Sequence, residues 1–177
     1  MAGTLTWTPA LDRPDLLPDP VAAALRADPA VAGRVAVAEI DPALADTAAF
    51  CEAYGVRLDQ SANCVVLATK RSGATQLATC MVLATTRADV NGLARKTLEA
   101  RKASFAAMDL AVAETGMEYG GITPIGLPPD WPILVDAAVA ACTDAVIGSG
   151  VRRSKLLLPG EVLAGLPGAV VLADLGR

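Results

Sequence analysis

The feature that most constrains the fold is a pair of apolar, β-rich runs, ANCVVLATK (Ala62 to Lys70) and TQLATCMVLAT (Thr75 to Thr85), separated by the short segment RSGA. Val, Thr and other residues that pack well on a pleated surface favour strands, and a glycine-bearing turn between two such runs signals a hairpin. The pair is expected to form the centre of a sheet, so the rest of the chain must supply its flanks and covers.

Upstream, a proline-rich, irregular stretch (1–18) is expected as an N-terminal extension. Asp19-Pro20 then opens DPVAAALRAD, where Asp at the cap and Pro at the first helical position start a helix running to about Ala27. RVAVAEI (Arg34 to Ile40) alternates as a half-buried strand does, and ADTAAFCEAYG (Ala45 to Gly55) reads as an amphipathic helix closed by glycine.

Downstream, Asp89 to Lys102 and Met108 to Gly116 are helical by apolar spacing and are expected to cover one face of the hairpin. Glu118 to Pro132 holds too many Gly and Pro for a regular element. The remainder reads as strands at Ile133 to Asp136, Asp144 to Ile147, Ser154 to Leu158 and Ala169 to Leu172, with a helix at Pro159 to Gly165. Strands at short intervals with clustered helices predict an α/β chain of the α+β kind: a single domain with a mixed, mostly antiparallel sheet flanked by helices.

Composition narrows the chemistry. The 177 residues are 53% hydrophobic, enough for one sizeable core. A formal net charge of -4 gives no global positive field for neutralising phosphates, so any RNA contact must be local, and DNA is not expected as a partner. The run Arg95, Lys96, Arg101, Lys102, read as one exposed helical face, is either such a local footprint or simply solvated. The four cysteines form no C-x-x-C pair and are expected to be free packing thiols.

The chain has no histidine, which excludes Ser-His-Asp and Cys-His nucleophile systems and His-containing zinc sites. Catalysis is left to Lys, carboxylates, hydroxyls, backbone amides or the substrate itself. No metal or organic cofactor is expected, because no G-x-x-x-x-G-K loop, G-x-G-x-x-G turn or compact ligand cluster occurs. The beginning MAGTLTWTPALDRPDLLP lacks a leader pattern and no apolar run reaches spanning length, so a soluble cytoplasmic protein without a membrane partner is expected.

The most informative segment is Gly120-Gly121-Ile122-Thr123-Pro124-Ile125-Gly126. Adjacent glycines let backbone approach a ligand and turn N–H groups inward, while Pro124 fixes one φ, so the loop can act as a preformed oxyanion hole. With the upstream hairpin, the strand Leu134-Val135-Asp136 and the turn Gly148-Ser149-Gly150-Val151-Arg152, it resembles the GGxxPxG pattern of the YbaK and prolyl-tRNA synthetase-associated editing domains, from about Ala45 to the C-terminus.

The resemblance implies an open-barrel-like curved sheet and hydrolysis, in trans, of the ester of a tRNA mischarged with a small amino acid. It gives Gly120 a catalytic role and Gly121, Thr123, Pro124 and Gly126 a substrate-binding one, and its partner is the aminoacyl-tRNA acceptor end. Family members carry a lysine at the start of the first hairpin strand, where this chain has Asn63. The strand after the G-S-G turn often shows an acidic residue in the family, where this chain has Lys155, so Asn63 and Lys155 read as a relocated amine. Arg152 and Arg153 suit terminal phosphates or a solvated turn. The alternative is a degenerate editing fold that binds an aminoacyl-tRNA end, an amino acid or a nucleotide without hydrolysis.

Overall fold

A computed structural model of the protein describes residues 2–71 and 73–177. Ser72 of the hairpin turn and Met1 of the N-terminal stretch lie outside the described residues. The chain opens with a short strand β1 (Thr8–Pro9) and two 3-10 turns (Ala10–Asp12, Pro14–Leu16), so the expected irregular extension is partly ordered and buries Ala10, Leu16 and Leu17. Helix α1 (Asp19–Ala27), the single turn α2 (Pro29–Ala32), strand β2 (Ala36–Glu39) and helix α3 (Thr47–Tyr54) follow. Gly55 ends α3 in the left-handed region, φ 65°, where a side chain would be strained.

The hairpin forms as expected, from β3 (Ala62–Arg71) and β4 (Ala74–Leu83). The helix expected over Asp89 to Lys102 does not. A π-helical turn (Val90–Ala94) and the short α4 (Arg95–Thr97) are cut off at Glu99, whose φ is +50°, and Lys102–Phe105 becomes strand β5. The exposed edge of β3 takes a partner there, with Leu67 facing Phe105 and Lys70 facing Lys102. Apolar spacing reports amphipathicity, not an unpaired strand edge, and tertiary pairing overrides it.

Helix α5 (Met108–Thr115) and strand β6 (Ile133–Asp136) bracket the irregular glycine-proline loop. Asp136 then accepts from the N–H of Ala138 at 2.8 Å and caps the short α6 (Ala137–Ala140), which sequence spacing did not suggest. Strands β7 (Ala145–Gly148) and β8 (Ser154–Leu158), helix α7 (Gly160–Ala164) and strand β9 (Ala169–Leu172) complete the chain.

Two sheets result, ordered β1-β2-β8-β7 and β5-β3-β4-β6-β9, with the hairpin inside the larger one. Pairing is antiparallel except for β4-β6 and β6-β9. A bridge from Ser61 to Val146 joins the sheets. Residues alternate across β3 and β4: Val66 and Met81 enter the core between the sheets, while Leu67, Cys80 and Val82 pack outside. The two covering segments therefore separate, Val90 and Ala94 lying outside and Ala111 with Met117 inside, instead of sharing one face. A third cluster packs Phe50 and Cys51 of α3 against Ile40 and Val146. Among the described residues no helix is long and apolar enough to cross a membrane.

Candidate active site

A cavity of about 350 Å³ lies at the seam of the two sheets. Its walls come from the start of α3 (Asp46, Thr47), from β3 (Asn63, Cys64, Val66), from β7 and from Lys155 on β8. Gly120 and Ile122 of the glycine-rich loop close one side, with Phe105 and Tyr119 also on the lining.

Lys155 is the unusual group. Its side chain is 8% exposed, because β8 runs between β2 and β7 and places it opposite Ala38 and Gly148. The ammonium donates to the carbonyl of Ala45 at 2.9 Å and sits 4.9 Å from the centre of the Phe50 ring. Burial is the main cause that brings its pKa down to about 8; Cys51 and Asp46 pull it up and Arg152 pushes it further down. A buried amine lowered this far and facing a cavity is a candidate site group.

Asn63 is half-buried, and its Oδ1 accepts from the hydroxyl of Thr47 at 2.8 Å. With the oxygen engaged, the amide can offer its N–H groups to a ligand. The structure thus brings Asn63 and Lys155 to one cavity from two different sheets. Cys51 lies nearby, its thiol pushed up by burial against the opposing pulls of the Ser61 hydroxyl and the Lys155 charge.

The glycine loop divides in two. Gly120 has φ +84°, a backbone conformation that strains a side chain, and a Cβ there would also displace Nη1 of Arg152, 2.5 Å away. Among the described residues no acceptor takes the N–H of Gly120, which leaves it available at the cavity wall. Gly121 is different: its N–H donates to the carbonyl of Glu118 at 2.9 Å and its carbonyl accepts from Gly150 at 2.6 Å. A Cβ on Gly121 would lie 2.7 Å from the Val151 backbone. Thr123 and Pro124 are buried and Gly126 packs on the start of α1, where a Cβ would lie 2.5 Å from the Pro20 carbonyl. Gly121, Thr123, Pro124 and Gly126 are therefore absent from the cavity lining and hold the loop in place.

Arg152 stands beside the cavity and not on its lining. Its guanidinium donates to Asp46 at 3.3 Å and to the Pro42 carbonyl at 3.1 Å, and its N–H donates to Glu118 at 2.6 Å. It ties the glycine loop to the segment before α3. Arg153 donates to the carbonyl of Asp15. Cys64 and Cys80 are both free thiols on opposite faces of the hairpin; burial pushes Cys80 up to about 12 and Cys64 further. Among the described residues no group of three or more His, Cys, Asp or Glu side chains could hold a metal ion.

Sequence reasoning missed Thr47, Phe105 and Tyr119. Thr47 carries no sequence signal, since its role depends on how α3 meets β3. The aromatics did carry one, because a chain with 3% aromatic residues has few rings to leave outside its core.

The profile of a family described as the aminoacyl-tRNA editing domain matches residues 41–166. The chain belongs to this family, which ties it to tRNA editing. Among solved structures, one described as a candidate trans-editing enzyme for prolyl tRNA synthetase superposes with a TM-score of 0.76 at 21% identity, over 89% of this chain and 95% of that one. A scaffold used for computational epitope backbone grafting matches with a TM-score of 0.74 at 23% identity, over 89% and 96%. The hypothetical protein APE2540 matches with a TM-score of 0.66 at 21% identity, over 75% and 85%. At these identities the likeness is one of fold. No curated protein matches the sequence.

Proposed function

We propose that this member of the aminoacyl-tRNA editing family is a cytoplasmic, trans-acting deacylase that hydrolyses the ester of a tRNA carrying a small amino acid, with Lys155 supplying the positive charge. The observation that carries the reading is that Lys155, Asn63 and Gly120 line one cavity, the first with an ammonium, the second with an amide and the third with a backbone N–H that no acceptor among the described residues takes. A cavity of about 350 Å³ lies at the small end of ligand sites and suits an aminoacyl group with its ribose ester.

In this mechanism the ester carbonyl sits against Gly120 and Lys155. Water, positioned by the neighbouring ribose hydroxyl, attacks the carbonyl carbon and charge develops on the carbonyl oxygen. Donors already in place stabilise that oxyanion without reorganisation. The intermediate collapses by breaking the bond from carbon to the ribose oxygen, which takes the proton released by water. The products are the free amino acid and a tRNA with its terminal hydroxyl restored. To act, the ammonium exchanges the Ala45 carbonyl for the developing oxyanion.

The test is deacylation of purified tRNAs charged with Ala, Cys, Ser and Pro. Lys155→Ala is expected to cost about 10²–10³ in rate, against no effect for the exposed control Arg26→Ala; equal effects from both would sink the assignment. A second reading is a module that holds the aminoacyl end without cleaving it. It is favoured by Asn63, an uncharged amide whose oxygen is already committed to Thr47. Tight binding without turnover, with turnover appearing only in Asn63→Lys, would establish that reading.

A further inference from the structure

The rings and cations that the chemistry leaves unused gather around one edge of the hairpin. Resting on the reading that the cavity takes an esterified RNA end, we infer that this edge is a track for the single-stranded 3′ end. The terminal base stacks on Phe105 and Tyr119, and Lys70, Arg101 and Lys102 hold the preceding phosphates.

Two observations carry it independently. The chain contains only two Phe, two Tyr and two Trp. Phe105 and Tyr119 nonetheless line the cavity while remaining 70% and 57% exposed. Exposed rings at the mouth of the cavity forgo core burial, and they match the stacking surfaces that single-stranded RNA uses irrespective of sequence.

The cations form the second observation. Lys70 and Lys102 are register partners, the N–H of Arg101 donates to the Lys70 carbonyl at 2.9 Å, and all three residues line one surface cavity of about 470 Å³. Like charges opposed across a ladder are destabilising. Arg71 next to them is neutralised by Glu99, yet none of the three has an ion-pair partner among the described residues, in a chain of net charge -4. Register places Phe105 opposite Leu67 on one face of the sheet and Lys102 opposite Lys70 on the other, with Lys102 three residues or about 10 Å from Phe105 along the edge strand β5. A strand leaving the cavity mouth around that edge meets the cations next. A polyanion is the partner that relieves them.

The test is fluorescence anisotropy with an uncharged acceptor-stem RNA bearing a single-stranded 3′ end, beside the same RNA lacking its terminal nucleoside. Phe105→Ala is expected to weaken binding of the full RNA by about 5- to 150-fold, to leave the shortened RNA unaffected, and to be rescued by Phe105→Trp. The triple change Lys70→Gln, Arg101→Gln, Lys102→Gln should reduce the slope of log K against log salt by about 2, for three phosphates on a single strand. Equal losses on both RNAs, or an unchanged slope, would overturn the inference. So would intact RNA binding with a change confined to self-association in sedimentation. Because binding is read without hydrolysis, a protein inert toward every charged tRNA could still pass, and only the deacylase reading would then fail.

Discussion

Replacing Lys155 by Met removes the charge while keeping the length of the side chain. In the folded protein burial brings this amine from 10.5 down to about 8. At about 1.4 kcal/mol per pH unit, that gap means the native state carries a penalty of about 3 kcal/mol for holding the ammonium. The sign follows from proton counting. Below pH 8 both folded and unfolded chains bind the proton and the penalty is fully present. Between about 8 and 10.5 the unfolded chain keeps its proton while the folded chain loses it, so stability rises with pH.

Urea unfolding at pH 7 and near pH 10.5 should therefore show the natural protein gaining about 3 kcal/mol relative to Lys155→Met across that interval. At pH 7 the Met variant should be at least as stable as the parent. It escapes the buried charge and in return leaves the Ala45 carbonyl without its donor, a loss of about 1–3 kcal/mol. Measuring both proteins in a Cys51→Ala background removes the thiol electrostatically coupled to the amine. Parallel pH profiles for the pair would refute the claim that Lys155 is held charged at a cost. A variant that is stable yet unable to deacylate would mark the amine as kept for function.

If the ammonium is the form that acts, deacylation should fall as pH rises through about 8, and a rate that instead climbs through that pH would make the amine a base. Gly121→Ala should destabilise the fold by about 1–3 kcal/mol through backbone displacement, because its Cβ would meet the Val151 carbonyl at 2.7 Å; a melting curve like the parent's would show that the loop yields. Thr123→Val should leave stability unchanged or raise it in thermal melts, since among the described residues the buried Thr123 hydroxyl has no partner to lose.

The hairpin, the helix at Asp19 and the late strands were legible because their signals are local: β-rich runs, a cap with proline, short apolar segments. The glycine loop was legible as a site element, but not which half of it faces the cavity. That division depends on α1 and on the 148–152 turn packing behind it, where Pro20 and Val151 exclude any side chain. The strand at Lys102–Phe105 was illegible because its cause is the open edge of β3, some thirty-five residues earlier. Lys155 was legible as a residue type in an unexpected place. Its burial was not, since that comes from β2 and β7 flanking β8 on either side.

The position of the amine follows from the seam. Asn63 approaches the cavity from the five-stranded sheet and Lys155 from the four-stranded one, so a charge placed on either wall faces the same contents. Both walls cannot carry one without loss. Two ammonium groups about 4 Å apart repel by about 4 kcal/mol at the effective dielectric of a partly buried site, and still by about 2 at twice that distance. A chain that already buries Lys155 therefore gains by presenting a neutral donor at position 63. Asn63→Lys alone should depress both amines and bring little activity, whereas Asn63→Lys combined with Lys155→Met restores a single charge on the opposite wall. Comparing the four proteins by deacylation rate gives the coupling directly. Recovery in the double variant beyond the product of the single effects would show the walls to be interchangeable. Strict additivity would mean that the two side chains act on different atoms of the substrate.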